Sequence, residues 1–160
     1  MPKPNLPLLL IEDSPSDALM LEEVLLRDPL NSFELTISER LETGLEILRQ
    51  RKRDLVLLDL GLPDSQGLKT FEKLHKEFPD LPVVVLSGLM DERLALEAVQ
   101  AGAQDYLVKG PTSWEIAPRA IRYAYRTQAV GTGFTPPPGR TRNSIRKWII
   151  ARTAFGTEGD

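Results

Sequence analysis

Five side chains suited to chemistry share one placement in the sequence. Glu12 and Asp13 follow the apolar run Leu6–Ile11, Asp59 follows Leu55–Leu58, Ser87 follows Leu81–Leu86, and Lys109 follows Tyr106–Val108. If those runs are parallel strands of one open sheet, their carboxyl ends form a common rim, the usual ligand position in such sheets. Three carboxylates, one hydroxyl and one ammonium would then converge. Close carboxylates repel one another and cannot all stay ionised cheaply. A hard divalent cation such as Mg²⁺ resolves this, because it takes oxygen ligands and keeps room for a phosphate oxygen. With the repulsion relieved, one carboxylate can act as a nucleophile toward a phosphoryl group. The ammonium and the hydroxyl can meet the charge spread over the transferred oxygens.

The rest of the chain reads as the frame for that rim. Leu6–Ile11 is nearly continuous in apolar residues, as in a strand buried on both faces. Ser14 and Pro15 start a helix whose apolar face is Ala18, Leu21, Val24 and Leu25, and Asp28-Pro29 ends it. Phe33–Ile37 alternates apolar with polar, as in a strand nearer a sheet edge. Leu41, Leu45 and Leu48 stripe a second helix that runs out at Arg49–Arg53. Gly61, Pro63 and Gly67 mark a loop after the third strand. Leu68, Phe71, Leu74 and Phe78 space the third helix, which Pro79 terminates and whose solvent face holds His75. Leu94, Leu96, Ala98 and Val99 belong to a fourth helix stopped by Gly102, and a fifth occupies about 112–126. Strand and helix alternating in this way predict a parallel sheet with helices on both faces and right-handed crossovers. After Arg126 the pattern fails. Gly131, Gly133 and Pro136–Gly139 form a linker to a short basic tail with Ile145, Trp148 and Ile149. The expected division is therefore 1–126 as one domain and 127–160 as linker and tail.

Composition removes several classes of function. The 160 residues include no cysteine, which excludes disulfides, thiolate metal sites and a cysteine nucleophile. One histidine, His75, is too few for a polyhistidine zinc site and poorly suited to Ser-His-Asp chemistry. Hydrophobic residues at 41% suffice for a core, and no apolar run is long enough to span a membrane. A soluble, cytoplasmic protein is expected. Residues 1–126 carry 15 Lys/Arg against 21 Asp/Glu, whereas residues 127–160 carry 5 against 2. An acidic body repels nucleic acid, so binding there would have to work through the tail.

The segments LLLIEDSPSD, DLVLLDLGLPDSQGL, VVVLSG and AGAQDYLVKG, in that order over roughly residues 6–126, resemble a response-regulator receiver domain of two-component signalling. The resemblance implies a flavodoxin-like α/β three-layer sandwich, with a five-stranded parallel sheet in the order 2-1-3-4-5 and five helices. It implies that Asp59 is the phosphoacceptor. Glu12 and Asp13 would be the acidic pair holding Mg²⁺, with Asp13 the more direct ligand, and Asp59 and the Gly61 backbone carbonyl would supply further oxygens. Lys109 would pair with the phosphoryl group, Ser87 would be the switch hydroxyl, and Tyr106 the aromatic residue that rotates inward with it. The outcome would be a reshaped face of helix four, strand five and helix five. Such a protein is a switch rather than an enzyme. Its partners would be a sensor histidine kinase or phosphotransfer protein and an unidentified downstream protein, with a homodimer through the last helix as a further arrangement.

The chain departs from the family pattern in places. Gly110 follows Lys109 where family members have a proline after a cis bond, and a cis bond before glycine would cost about 2.5–4 kcal/mol. Gly61 and Leu89 bring no polar side chain to two positions that tune dephosphorylation. Pro118 interrupts the last helix, which should either start near it or bend there. Four rival readings remain: the receiver fragment of a larger output protein, an aspartate-nucleophile phosphatase, a scaffold that has lost its chemistry, and a nucleic-acid binder working through the tail. The phosphatase reading wants an acid two residues after the nucleophile, where Gly61 stands. The intact set of Glu12, Asp13, Asp59, Ser87 and Lys109 disfavours the scaffold.

Overall fold

A computed structural model describes residues 3–88 and 92–129. Five parallel strands form the main sheet: β1 (Asn5–Ile11), β2 (Ser32–Ser38), β3 (Leu55–Asp59), β4 (Val83–Ser87) and β5 (Asp105–Val108). Their order across the sheet is β2-β1-β3-β4-β5. Five helices connect or follow them: α1 (Pro15–Leu26), α2 (Leu41–Gln50), α3 (Leu68–Glu77), α4 (Glu92–Gln100) and α5 (Pro111–Ala129). This is the flavodoxin-like α/β fold, with the strand order that the sequence resemblance implies.

The continuous apolar strands make sense once the two faces are separated. Side chains alternate along a strand, so a strand covered on both sides must be apolar at every position. Leu8, Leu10, Leu55 and Leu57 pack with Ala18, Leu21 and Leu25 of α1 and with Trp114, Ala117 and Ile121 of α5. Leu9, Ile11, Val56 and Leu58 pack on the other face with Leu41, Leu45 and Leu48 of α2, Phe71 and Leu74 of α3, and Ala98 and Val99 of α4. β2 lies at the sheet edge and is only partly covered, as its alternating composition predicts.

Some expectations need correction. The Gly61–Gly67 loop contains a two-residue antiparallel ladder, with Gly61 opposite Gln66 and Leu62 opposite Ser65. α5 runs from Pro111 to Ala129 and does not start at Pro118, so it extends past both predicted ends. Pro118 has no N–H to donate to the Trp114 carbonyl, yet the helix continues through it and buries Trp114 before it and Ile121 after it. His75 is half-buried rather than solvent-facing. Its ring stacks on Phe71 at 5.1 Å between centroids, and a Cβ at Gly102 would lie 2.9 Å from its Nε2. Gly102 therefore stops α4 with a positive φ of 124° and leaves room for the imidazole. Leu89 and the tail from 130 onward, including Ile145, Trp148 and Ile149, lie outside the described residues.

Candidate functional site

The site begins where β1 turns into α1. The strand ends at Ile11, and Ser14 caps the helix, accepting a hydrogen bond from the Asp17 backbone N–H at 3.4 Å, with Pro15 in the first helical position. This immediate start leaves Glu12 and Asp13 on the rim. The Glu12 carboxylate folds back, its Oε1 accepting from the Ser14 N–H at 3.1 Å, and is only 2% exposed. Asp13 faces solvent.

β3 contributes Asp59 at its last position, 7% exposed. Asp59 Oδ1 accepts from the Gly61 N–H at 3.1 Å, and Oδ2 accepts from the Lys109 ammonium at 3.1 Å. Carboxylate oxygens of Glu12, Asp13 and Asp59 all lie within 4.8 Å of one another. An all-oxygen donor set of this size, with two of its three acids buried, fits Mg²⁺. The loop after Asp59 is tied at several points. Gly67 N–H donates to the Leu60 carbonyl at 2.7 Å, and the Ser65 and Thr70 hydroxyls are bonded at 2.8 Å. Asp64 on the same loop accepts from the N–H groups of Leu41 and Glu42 at 2.9 and 3.0 Å, capping α2, whose own N-cap residue Arg40 makes no side-chain cap.

Lys109 reaches in from the end of β5. Its Nζ lies 2.6 Å from Glu12 Oε2, 3.1 Å from Asp59 Oδ2 and 3.2 Å from Asp17 Oδ2. Burial alone would pull the ammonium down, but hydrogen bonds and charge from Glu12 and Asp59 outweigh it and hold Lys109 above the ordinary lysine range. Glu12 moves the other way from most paired acids. Burial, reinforced by the Asp59 charge, outweighs its bond to Lys109 and pushes its carboxyl up to about 7. The peptide bonds among the described residues are all trans, including that between Lys109 and Gly110. Gly110 takes a φ of 152°, a conformation that favours glycine, and its carbonyl accepts from Trp114 at the start of α5.

Ser87 closes the far side. With Asp59, Gly61, Gln66, Gly88 and Leu94 it lines a cavity of about 240 Å³. Its hydroxyl is directed at the Gly88 carbonyl, 3.4 Å away, and its own carbonyl accepts from Lys109 N–H at 2.8 Å. Tyr106 is not in the pocket. It is buried on the face covered by α4, packed with Ala98, Val99 and Ala103. Because Ser87 pairs with Val108 and Val85 with Tyr106, Tyr106 stands on the same sheet face as Ser87, one step down the ladder. The structure thus brings together Glu12, Asp13, Asp59 and Lys109, sets Ser87 and Gly61 around Asp59, and keeps Tyr106 behind them. Asp17 was not anticipated from the sequence. Its position four residues after Asp13, in the first turn of a helix starting on the rim, is the signal that could have found it.

Known proteins resemble this chain in sequence and in fold. Residues 8–119 match the family model for the response regulator receiver domain. The chain is 36% identical over 128 residues to the KDP operon transcriptional regulatory protein KdpE of Escherichia coli (strain K12), covering 80% of this chain and 55% of that protein. It is 35% identical over 107 residues to the two-component response regulator ARR2 of Arabidopsis thaliana, covering 66% of this chain and 16% of the relative. The chain thus spans about half of the first relative and a smaller part of the second. Among solved structures, a putative response regulator from Chloroflexus aurantiacus superposes with a TM-score of 0.67 at 25% identity, covering 78% of this chain and 99% of that one. A receiver domain from Clostridium thermocellum superposes with a TM-score of 0.68 at 24% identity, covering 78% and 98%, a likeness of fold. With the family model matched over well more than half of the sequence, the chain belongs to the response regulator receiver domain family.

Proposed function

We propose that this chain is a phosphorylatable switch in which Asp59 accepts a phosphoryl group from a sensor histidine kinase or phosphotransfer protein. The observation that carries this reading is the convergence on Asp59. It is a buried carboxylate that shares an ammonium with Glu12 and has carboxylate oxygens of Glu12 and Asp13 within 4.8 Å. In the transfer, one Asp59 oxygen forms a bond to phosphorus as the bond from phosphorus to the donor breaks. Acetyl phosphate would release acetate, and a phosphohistidine would release an imidazole that takes up a proton. Asp13, Asp59 and the Gly61 carbonyl would hold Mg²⁺, with Glu12 behind them, and the bound ion would offset carboxylate charge and that of the phosphoryl oxygens. Lys109 stays an ammonium and is already within reach of the Asp59 carboxylate. Gly61 N–H orients the Asp59 carboxylate through Oδ1.

Readout follows from the sheet. A phosphoryl group entering the cavity beside Ser87 offers that hydroxyl a stronger acceptor than the Gly88 carbonyl it now faces. Movement of Ser87 opens space on the face where Tyr106 packs against α4, which couples the site to the α4–β5–α5 surface and to a downstream partner. The domain spans 1–126 in this reading, with 127–160 as linker and tail, and the protein works in the cytoplasm. Its relatives' greater length favours the further reading that the receiver controls a longer regulator.

The test is incubation with acetyl phosphate and Mg²⁺, read by intact mass. The wild type gains one phosphoryl group, whereas Asp59→Asn and wild type in a chelator do not. An Asp59→Asn protein phosphorylated like the wild type overturns the assignment.

A further inference from the structure

Lys109 has one more acidic neighbour than the proposed chemistry uses. An ammonium has three N–H donors, and here three carboxylates, Glu12, Asp59 and Asp17, lie within 3.2 Å of Nζ. Two of them belong to the cluster that a divalent cation would gather, which consists of Glu12, Asp13 and Asp59. Asp17 stands outside it, on the first turn of α1, and its place is fixed by the cap, since its backbone N–H bonds Ser14 Oγ. A cation on the rim offers Glu12 and Asp59 a new partner for their charge. It offers Asp17 none. When a phosphoryl group then arrives on Asp59 and needs the Lys109 donors, Asp17 still holds one of them. Its charge also has the same sign as the incoming group, so bond and charge act in the same direction, against the phosphorylated state.

We propose that Asp17 is a positioning residue that acts through Lys109: it competes with the phosphoryl group for the ammonium and so lowers the fraction of the protein that is phosphorylated. This rests on the reading of Asp59 as phosphoacceptor and Lys109 as its cationic partner. It makes the first turn of α1 a determinant of how strong a phosphodonor is needed.

Two variants separate the charge from the bond. Asp17→Asn keeps an oxygen that can accept from Lys109 but loses the charge, and Asp17→Ala loses both. With Mg²⁺ and acetyl phosphate, the half-saturating donor concentration should fall in Asp17→Asn by about threefold to tenfold, between the range of exposed pairs and that of buried ones. The fall in Asp17→Ala should be at least as large, with the maximal rate changed less than the half-saturation. In a Lys109→Met background the effect should vanish, leaving the double variant phosphorylated no better than Lys109→Met alone, at whatever level that is. An Asp17→Asn protein that needs as much donor as the wild type, or a gain that survives in the Lys109→Met background, overturns the inference. A wild type that gains no phosphoryl group overturns the phosphoacceptor reading itself. A phosphorylated wild type matched by both Asp17 variants overturns this inference alone.

Discussion

Divalent cation binding should depend steeply on pH below neutrality and hardly at all above it. Glu12 is buried beside Asp59, and its carboxyl is pushed up to about 7, first by burial and then by the Asp59 charge. A cation held by Asp13 and Asp59 gains from an ionised Glu12 behind them, so its binding favours loss of the Glu12 proton. One pH unit below the midpoint only about one Glu12 in eleven is ionised, and one unit above it about ten in eleven. The apparent Mg²⁺ affinity should therefore rise by up to about tenfold between about pH 6 and about pH 8, with most of the change below the midpoint. Calorimetric titration in two buffers of different ionisation enthalpy counts the protons directly: up to about 0.9 released per ion at the lower pH and no more than about 0.1 at the higher.

Two variants test the cause. Glu12→Gln should bind more weakly and lose the slope. Lys109→Met removes the ammonium, 2.6 Å from Glu12 Oε2, that holds Glu12 down, so the inflection should move to higher pH. The same group gives metal-free protein a stability slope of definite sign. Between 4.5, its ordinary value, and about 7, the folded chain binds more protons than the unfolded one, so stability in a chelator falls as pH rises through that window. Lys109, held above its usual range, stays charged throughout and adds no slope there. A Mg²⁺ affinity that is flat from about pH 6 to 8, or a Glu12→Gln protein that keeps the wild-type slope, would refute the reasoning.

Two substitutions test the frame. Asp64→Ala removes the acceptor of two α2 N–H groups, and no local cap replaces it, so chemical denaturation should show a loss of about 1 kcal/mol. Asp64→Asn should recover part of this. Gly44→Ala places a Cβ 2.5 Å from Ile11 Cδ1 and 2.9 Å from Cγ1, deep in the core between α2 and β1. Overpacking of that kind should cost about 1–3 kcal/mol, and a Gly44→Ala, Ile11→Val double variant should regain part of it.

The parts of this protein that were legible from its sequence are those set by local pattern. Val83–Leu86 reads as a buried strand because a parallel strand covered on both faces must be apolar throughout, and Ser14-Pro15 reads as a helix start because each residue suits its cap position. The rim residues could be picked out because strand ends are visible in sequence and parallel strands end on one side. Asp17 and Asp64 were missed for the opposite reason. Asp17 matters because a lysine 92 positions away reaches it, and Asp64 because a helix 22 or 23 positions earlier lacks its own cap. Neither partner can be inferred from spacing. His75 was misplaced for a related reason. Helical periodicity gives a face, but the Gly102 backbone that approaches that face belongs to another element.

The same distinction explains why the acidic rim can exist in a small domain at all. Buried carboxylates are costly unless something fixed lies opposite them. Here the compensation is part distant and part local: the Lys109 ammonium comes from β5, whereas the Ser14 and Gly61 N–H groups each lie two residues beyond the carboxylate they bond. Each is held by structure that does not depend on a phosphoryl group: the Ser87–Lys109 backbone bond, the Ser14 cap and the Gly61–Gln66 ladder. The compensation is incomplete, and the raised Glu12 carboxyl is its measure. An acidic site left short of positive charge by a rigid frame would gain from a cation, and in the proposed reading that cation would in turn prepare it for a group still more negative. In that reading the residual imbalance, rather than any single side chain, would make the site responsive.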